Sequence, residues 1–161
     1  MRAMLLWALC VLPAAATDVG YVNSGAILQE MAEVRAMQST LDTLREQLRQ
    51  QGEAMVVEYK TKEREAAEKE QSGQLSPKDR ERVLADLQER QQAIINFGDQ
   101  MEKDLVEKEQ QLLQPILDRV HEAVRAVAKE KGLEMIVDTS GGGLLYADPK
   151  LDMSDAVKSK L

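Results

Sequence analysis

Ser72-Gly73-Gln74-Leu75-Ser76-Pro77-Lys78-Asp79 is the stretch on which the fold turns. Ser72-Gly73-Gln74 interrupts helix-forming sequence. Ser76 restarts it as an N-cap, with Pro77 at the first helical position and Asp79 at the positive end of the helix dipole. Upstream, apolar residues recur at Ile27, Met31, Val34, Leu41, Leu44, Leu48, Met55 and Tyr59, in steps of three, four or their sum, with Gly52 in the same register. Downstream, Leu84, Leu87, Ile94, Met101, Leu105, Leu112, Ile116, Val120, Ala123 and Val127 repeat that spacing. Each series draws one narrow stripe along a helix, the geometry of a coiled-coil seam. Two such helices joined by one tight turn predict an antiparallel hairpin with limbs roughly 60 to 70 Å long. Between Lys60 and Gln74 only Ala66 and Ala67 are apolar, while the charges support helix, so this part reads as a solvated tip.

The flanks are different. Val19, Tyr21 and Val22 predict a strand, and Asn23-Ser24 supplies capping side chains before Ala26-Ile27-Leu28 begin a helix. Pro115 falls inside the second stripe and is expected to kink it. Gly132 is placed to end that helix, with Lys129 and Lys131 in its last turn. Leu133 to Val137 then predicts a strand, residues 138–143 a turn, and Leu144-Leu145-Tyr146 a return strand, together a β-hairpin. Ser154 is expected to cap a terminal helix carrying Ala156, Val157 and Leu161. The fold class is α+β and mostly α: a helical-hairpin arm over residues 31–115, tip near 60–82, and a small β-rich body from 17–30 and 116–161. So few strands cannot cover their own apolar faces. Val19, Tyr21, Val22, Ile136, Val137, Leu144, Leu145 and Tyr146 are therefore expected at an interface between copies of the chain.

Composition narrows the chemistry. The 161 residues hold 21 Lys and Arg against 28 Asp and Glu, one Cys, one Trp and one His. Met1-Arg2, the apolar run Ala3 to Val11 and Pro13-Ala14-Ala15-Ala16 have the layout of a signal peptide over residues 1–16, cut between Ala16 and Thr17. The run is shorter than the roughly 20 residues a bilayer span needs. Cleavage removes Arg2, Trp7 and Cys10, which excludes thiol catalysis, disulfides and Cys-based zinc sites, and leaves 20 basic against the same 28 acidic residues. Cys10 follows Leu9 rather than a small residue, so it is not read as a lipid-attachment site. The acidic balance argues against nucleic acid as a partner, and the leader points to a periplasm. His121 stands alone between Asp118 and Glu122, Gly141-Gly142-Gly143 lacks a P-loop lysine, and no nucleophile has a positioned base. Neither an enzyme nor a cofactor or metal site is expected.

The opening Gly20-Tyr21-Val22-Asn23-Ser24 through Glu30 resembles that of the Skp/OmpH family of periplasmic chaperones. So do Leu113-Gln114-Pro115-Ile116, Val127 to Gly132, Ile136-Val137-Asp138, Leu144 to Ala147 and the closing Leu151 to Val157. The resemblance implies a homotrimer with a β-rich body and three helical arms around a cavity, binding unfolded outer-membrane proteins without ATP. For that task Met31, Met37, Met55, Tyr59 and Met101 are the candidate client-facing residues, thioethers being adaptable to irregular partners. Gly52, Gly98 and Pro115 are candidate flexible points, and the two glycines read equally well as marks of close contact between the helices. The chain departs from the family's basic character: residues 60–82 carry seven basic against six acidic side chains and the remainder is strongly acidic. Contact with membranes or lipopolysaccharide is accordingly expected to be weak. The rival readings are an oligomeric coiled-coil spacer in the cell envelope and an adaptor for one folded envelope partner. The loss of the stripe near Lys60 speaks against a rigid spacer.

Overall fold

The computed structural model describes residues 18–161; the expected signal peptide lies outside them. The elements in order are β1 (Val19–Val22), α1 (Ser24–Glu30), α2 (Ala32–Gln71), α3 (Pro77–Lys131), β2 (Met135–Asp138), a 3-10 turn (Pro149–Leu151) and α4 (Ser154–Lys158). The class is α+β, dominated by two long helices. The described residues divide into two units: those up to Ile27 with Val120–Leu161, and Leu28–Arg119.

The second unit is a helical hairpin. Helix α2 closes as a Schellman motif. Gly73 sits at φ +68, its N–H donates to the Glu70 carbonyl at 3.1 Å, and the Gln74 N–H donates to that of Lys69 at 2.9 Å. Ser76 Oγ accepts the Asp79 N–H at 3.2 Å and donates to the Asp79 carboxylate at 2.6 Å, capping α3. Antiparallel register is fixed by pairs that climb one limb as they descend the other: Glu33 with Arg119, Gly52 with Phe97, Glu58 with Arg90, Glu70 with Arg80. Met31, Val34, Leu41 and Ile116 are buried, whereas further toward the turn the seam residues are only half covered.

Three details of this unit correct the sequence reading. Met31 adopts an extended conformation (φ −70, ψ 133) and splits the first helix into α1 and α2. Leu84 is 54% exposed, and the half-buried Val83 takes the seam position instead. Both lie at helical spacing from Leu87, one four residues back and one three, and the seam follows the step of four. Helix α3 continues through Pro115, which deletes one backbone donor without ending the helix.

The first unit is organised by a two-stranded sheet. β1 and β2 are parallel, with Val19 opposite Met135 and Val22 opposite Asp138. This corrects the expected β-hairpin. A parallel pair needs a long crossover, and the 112 residues from Asn23 to Glu134 supply one. Leu144 to Tyr146 forms no strand. The Asp138 carboxylate accepts the Ser140 N–H at 3.0 Å and the Gly142 N–H donates to the Thr139 carbonyl at 3.0 Å, a turn that carries the chain away from β2. The far edge of β1 is covered by the C-terminal segment: Tyr21 bridges to Asp152, and its carbonyl accepts the Met153 N–H at 2.8 Å. Ser154 does not cap α4 as expected. Its hydroxyl accepts the Asn23 N–H at 3.2 Å, while Asp152 takes the Ser154 N–H at 2.8 Å. Val22, Ile27, Val120, Ala123, Val127 and Val157 form the core, the last fully buried. Lys160 pairs with Glu130 at 2.8 Å and holds the C-terminus to α3.

Asp138 joins the start of α1 to the end of β2. It accepts the Ser24 N–H at 3.1 Å and both the Ser24 and Ser140 hydroxyls, at 2.5 and 2.9 Å. Burial alone would raise its pKa, but these donors outweigh burial and lower it from 3.8 to about 2. A carboxyl with a folded pKa below its unfolded one stabilises the fold above the unfolded value, and that contribution disappears as pH falls through the folded value. The exposed side chain reduces the effect to about 1 kcal/mol after solvent screening. Asp138→Asn is expected to remove this increment at neutral pH and to flatten the acid limb between pH 3.8 and about 2, followed by circular dichroism. Superimposable acid limbs for the two proteins would refute the assignment.

Candidate functional site

Apolar surface left open in two places is the functional candidate. On the hairpin, α2 and α3 flank a groove of about 510 Å³ lined by Leu48, Gly52, Val56, Val57, Ile94, Phe97, Gly98 and Met101, with Arg49 and Glu53 at its rim. Glycine makes the groove. A Cβ at Gly52 would meet the Phe97 ring at 3.3 Å, and one at Gly98 would meet nothing within 4 Å. The first glycine admits the ring between the limbs; the second leaves space above it. The rim is held by charge. Arg49 donates to both Glu46 oxygens, at 2.8 and 2.6 Å, and pairs with Glu53. The Arg49 guanidinium, with help from Gln50, holds the Glu46 carboxyl down at about 2. A groove with apolar walls and an internally neutralised rim can accept bulky apolar side chains but offers no reacting group.

The expected client-facing residues divide. Met101 lines the groove, while Met37, Met55 and Tyr59 are half-buried along the limb. Met31 is corrected: at 8% exposure its thioether belongs to the packed base of the hairpin, beside the break its own extended backbone creates. Gly52 and Gly98, expected as flexible points or as marks of close helix contact, come together at the groove, and close contact holds for Gly52 alone. Pro115 lies inside continuous helix. Val56, Val57 and Phe97 escaped the sequence reading because they sit beside the heptad-like stripe; the pairing of Phe97 with a glycine on the facing limb is legible once the hairpin register is counted from the turn. Nearer the tip, Lys62, Lys69, Arg82 and Arg90 share a cleft with Glu65 and Asp86, so the charges there are mixed.

In the sheet-bearing unit, Val22 is 3% exposed and is used by its own core, while Val19, Tyr21, Ile136 and Val137 are half-buried. Leu144, Leu145 and Tyr146 are 40%, 101% and 83% exposed, and Met135 and Leu151 are exposed with them. So much large apolar surface on consecutive residues makes this segment a candidate interaction surface. Among the described residues no group of His, Cys, Asp and Glu could hold a metal ion, and no helix is long and apolar enough to cross a membrane.

Comparison with known proteins agrees with this architecture. The family described as "Outer membrane protein (OmpH-like)" matches over residues 18–161. No curated protein matches the chain. Among solved structures, a crystal structure from Caulobacter crescentus, named provisionally as an OmpH-like outer membrane chaperone, shares the fold with a TM-score of 0.77. It is 18% identical, and the alignment covers 96% of this chain and 89% of that one.

Proposed function

The chain belongs to the OmpH-like outer membrane protein family, and from that premise we propose that it is an ATP-independent periplasmic holdase, one that binds unfolded outer-membrane proteins and keeps them from aggregating in transit. The observation that carries this reading is the half-closed seam of the hairpin. A folded partner would call for a shaped polar and apolar surface, whereas a non-native chain calls for distributed, adaptable apolar contacts. The groove around Phe97 and the half-covered Met37, Met55 and Met101 are of the second kind. The exposed Leu144-Leu145-Tyr146 segment supports self-association, and the family resemblance supports a homotrimer as its form. The N-terminal leader supports export to the periplasm.

Several unrelated β-barrel proteins diluted from urea should stay dispersed when the protein is present in near-stoichiometric amounts without nucleotide, as followed by light scattering. Protection of none of them, with saturable binding of one native envelope protein, would identify an adaptor instead. A chain that bound neither would be a spacer.

A further inference from the structure

Leu84, Ile95 and Val106 are 54%, 52% and 50% exposed, on the flank of α3 turned away from the hairpin seam. Their spacing is regular. Steps of eleven residues return a helix to within about 20° of the same direction, so the three form a line with rungs about 16 Å apart. Asp99, Glu102 and Glu109 fall within about 40° of that line, and between Glu81 and Leu117 no Lys or Arg does. Val106 lines a shallow depression with Asp99, Glu102, Lys103, Glu107 and Gln110, three acids against one cation. Several other acids of the hairpin are engaged by arginine: Glu46 and Glu53 with Arg49, Glu58 and Asp86 with Arg90. Asp99, Glu102 and Glu109 hold no ion pair among the described residues. The flank therefore presents apolar rungs in a net negative field.

We propose that this flank of α3 captures polypeptide segments in which apolar side chains are interleaved with Lys or Arg. Charge complementarity selects that occupant. A second copy of the same flank would bring like charges together, and an anionic lipid surface would be repelled in the same way. A cationic apolar segment meets both features at once. This inference rests on the holdase reading and adds to it a preference among clients.

The test uses the full chain and two labelled peptides with the same alternating Val and Leu, one carrying Lys and the other Glu at the intervening positions. Fluorescence anisotropy should give the Lys peptide at least about tenfold tighter binding at low ionic strength, with the difference collapsing at about 0.5 M salt. Asp99→Asn with Glu102→Gln should weaken the Lys peptide about three- to tenfold, while Glu63→Gln with Glu89→Gln, an equal loss of charge away from the flank, should change it less than about twofold. Ile95→Ser with Val106→Ser should weaken both peptides. Equal binding of the two peptides, or equal effects of the two charge-neutralising pairs, would overturn the capture face. If unfolded β-barrel proteins were still protected in that case, the holdase reading would survive its loss. If no unfolded client were protected at all, the holdase reading would fall first, and the client role of the flank with it.

Discussion

Leu145→Asp is expected to separate the subunits and leave each protomer folded. Leu145 is fully exposed and Tyr146 nearly so, and neither contributes to the protomer's own core. An aspartate there costs the isolated chain almost nothing. In an assembly that covers Leu145, the same carboxylate would be buried without a partner, a penalty of several kcal/mol that weakens association by roughly a hundredfold or more. Mass by light scattering after size exclusion should fall to that of one chain, with an unchanged circular dichroism spectrum. Ile136→Asp should behave differently. Ile136 is half-buried in β2, opposite Gly20, so a charge there disturbs the sheet as well as any contact with a neighbour. An unaltered oligomer mass for Leu145→Asp at every concentration would place the subunit contact elsewhere. A wild-type protein that stays monomeric at high concentration would remove the trimer from the proposed function.

The hairpin was legible in the sequence because its determinants are local. Gly73 must reach positive φ, Ser76 must face the Asp79 N–H, and both requirements are written within eight residues. The strand pairing was not legible, for the opposite reason. β2 could join a neighbour seven residues later or one more than a hundred residues earlier, and spacing alone favours the near one. The near one loses because Asp138 is engaged by Ser24 and Ser140, which directs the following turn outward. The groove was half legible. Gly52 and Gly98 drew notice singly, but only the register of the folded limbs brings them to one place with Phe97. Met31 shows the remaining ambiguity: a methionine in a stripe reads the same whether it lines an open surface or a closed one, and the closed reading follows from a backbone break with no marker in its side chain.

Gly20→Val is expected to cost the sheet-bearing unit about 3 kcal/mol and to lower its melting temperature by about 10 to 20 °C. Gly20 is buried in β1, and a Cβ there would meet Met153 Cγ at 2.9 Å and Leu133 Cδ1 at 3.0 Å, with the Leu151 carbonyl oxygen behind them at 3.5 Å. Alanine already asks Met153 to move at its Cγ, one bond from its own Cβ, and the end of the Leu133 side chain to give way, so it too is expected to destabilise, by less than valine. Valine adds two further carbons, and the backbone at Leu151 leaves them no room. The segment that must move is the one that covers β1, through the Tyr21 bridge to Asp152 and the Met153 N–H on the Tyr21 carbonyl. It also carries Val157 into the core. Differential scanning calorimetry measures the loss, with Gly141→Ala as a control expected to be neutral, since nothing lies within 4 Å of that position. Leu144 to Tyr146 immediately precedes the same segment, so in the proposed assembly Gly20→Val should abolish association together with stability, whereas Leu145→Asp should abolish association alone. A Gly20→Val protein that melted like the wild type would mean that the C-terminal segment does not lie against β1, and the exposed leucine and tyrosine would then have no fixed position from which to recruit another subunit.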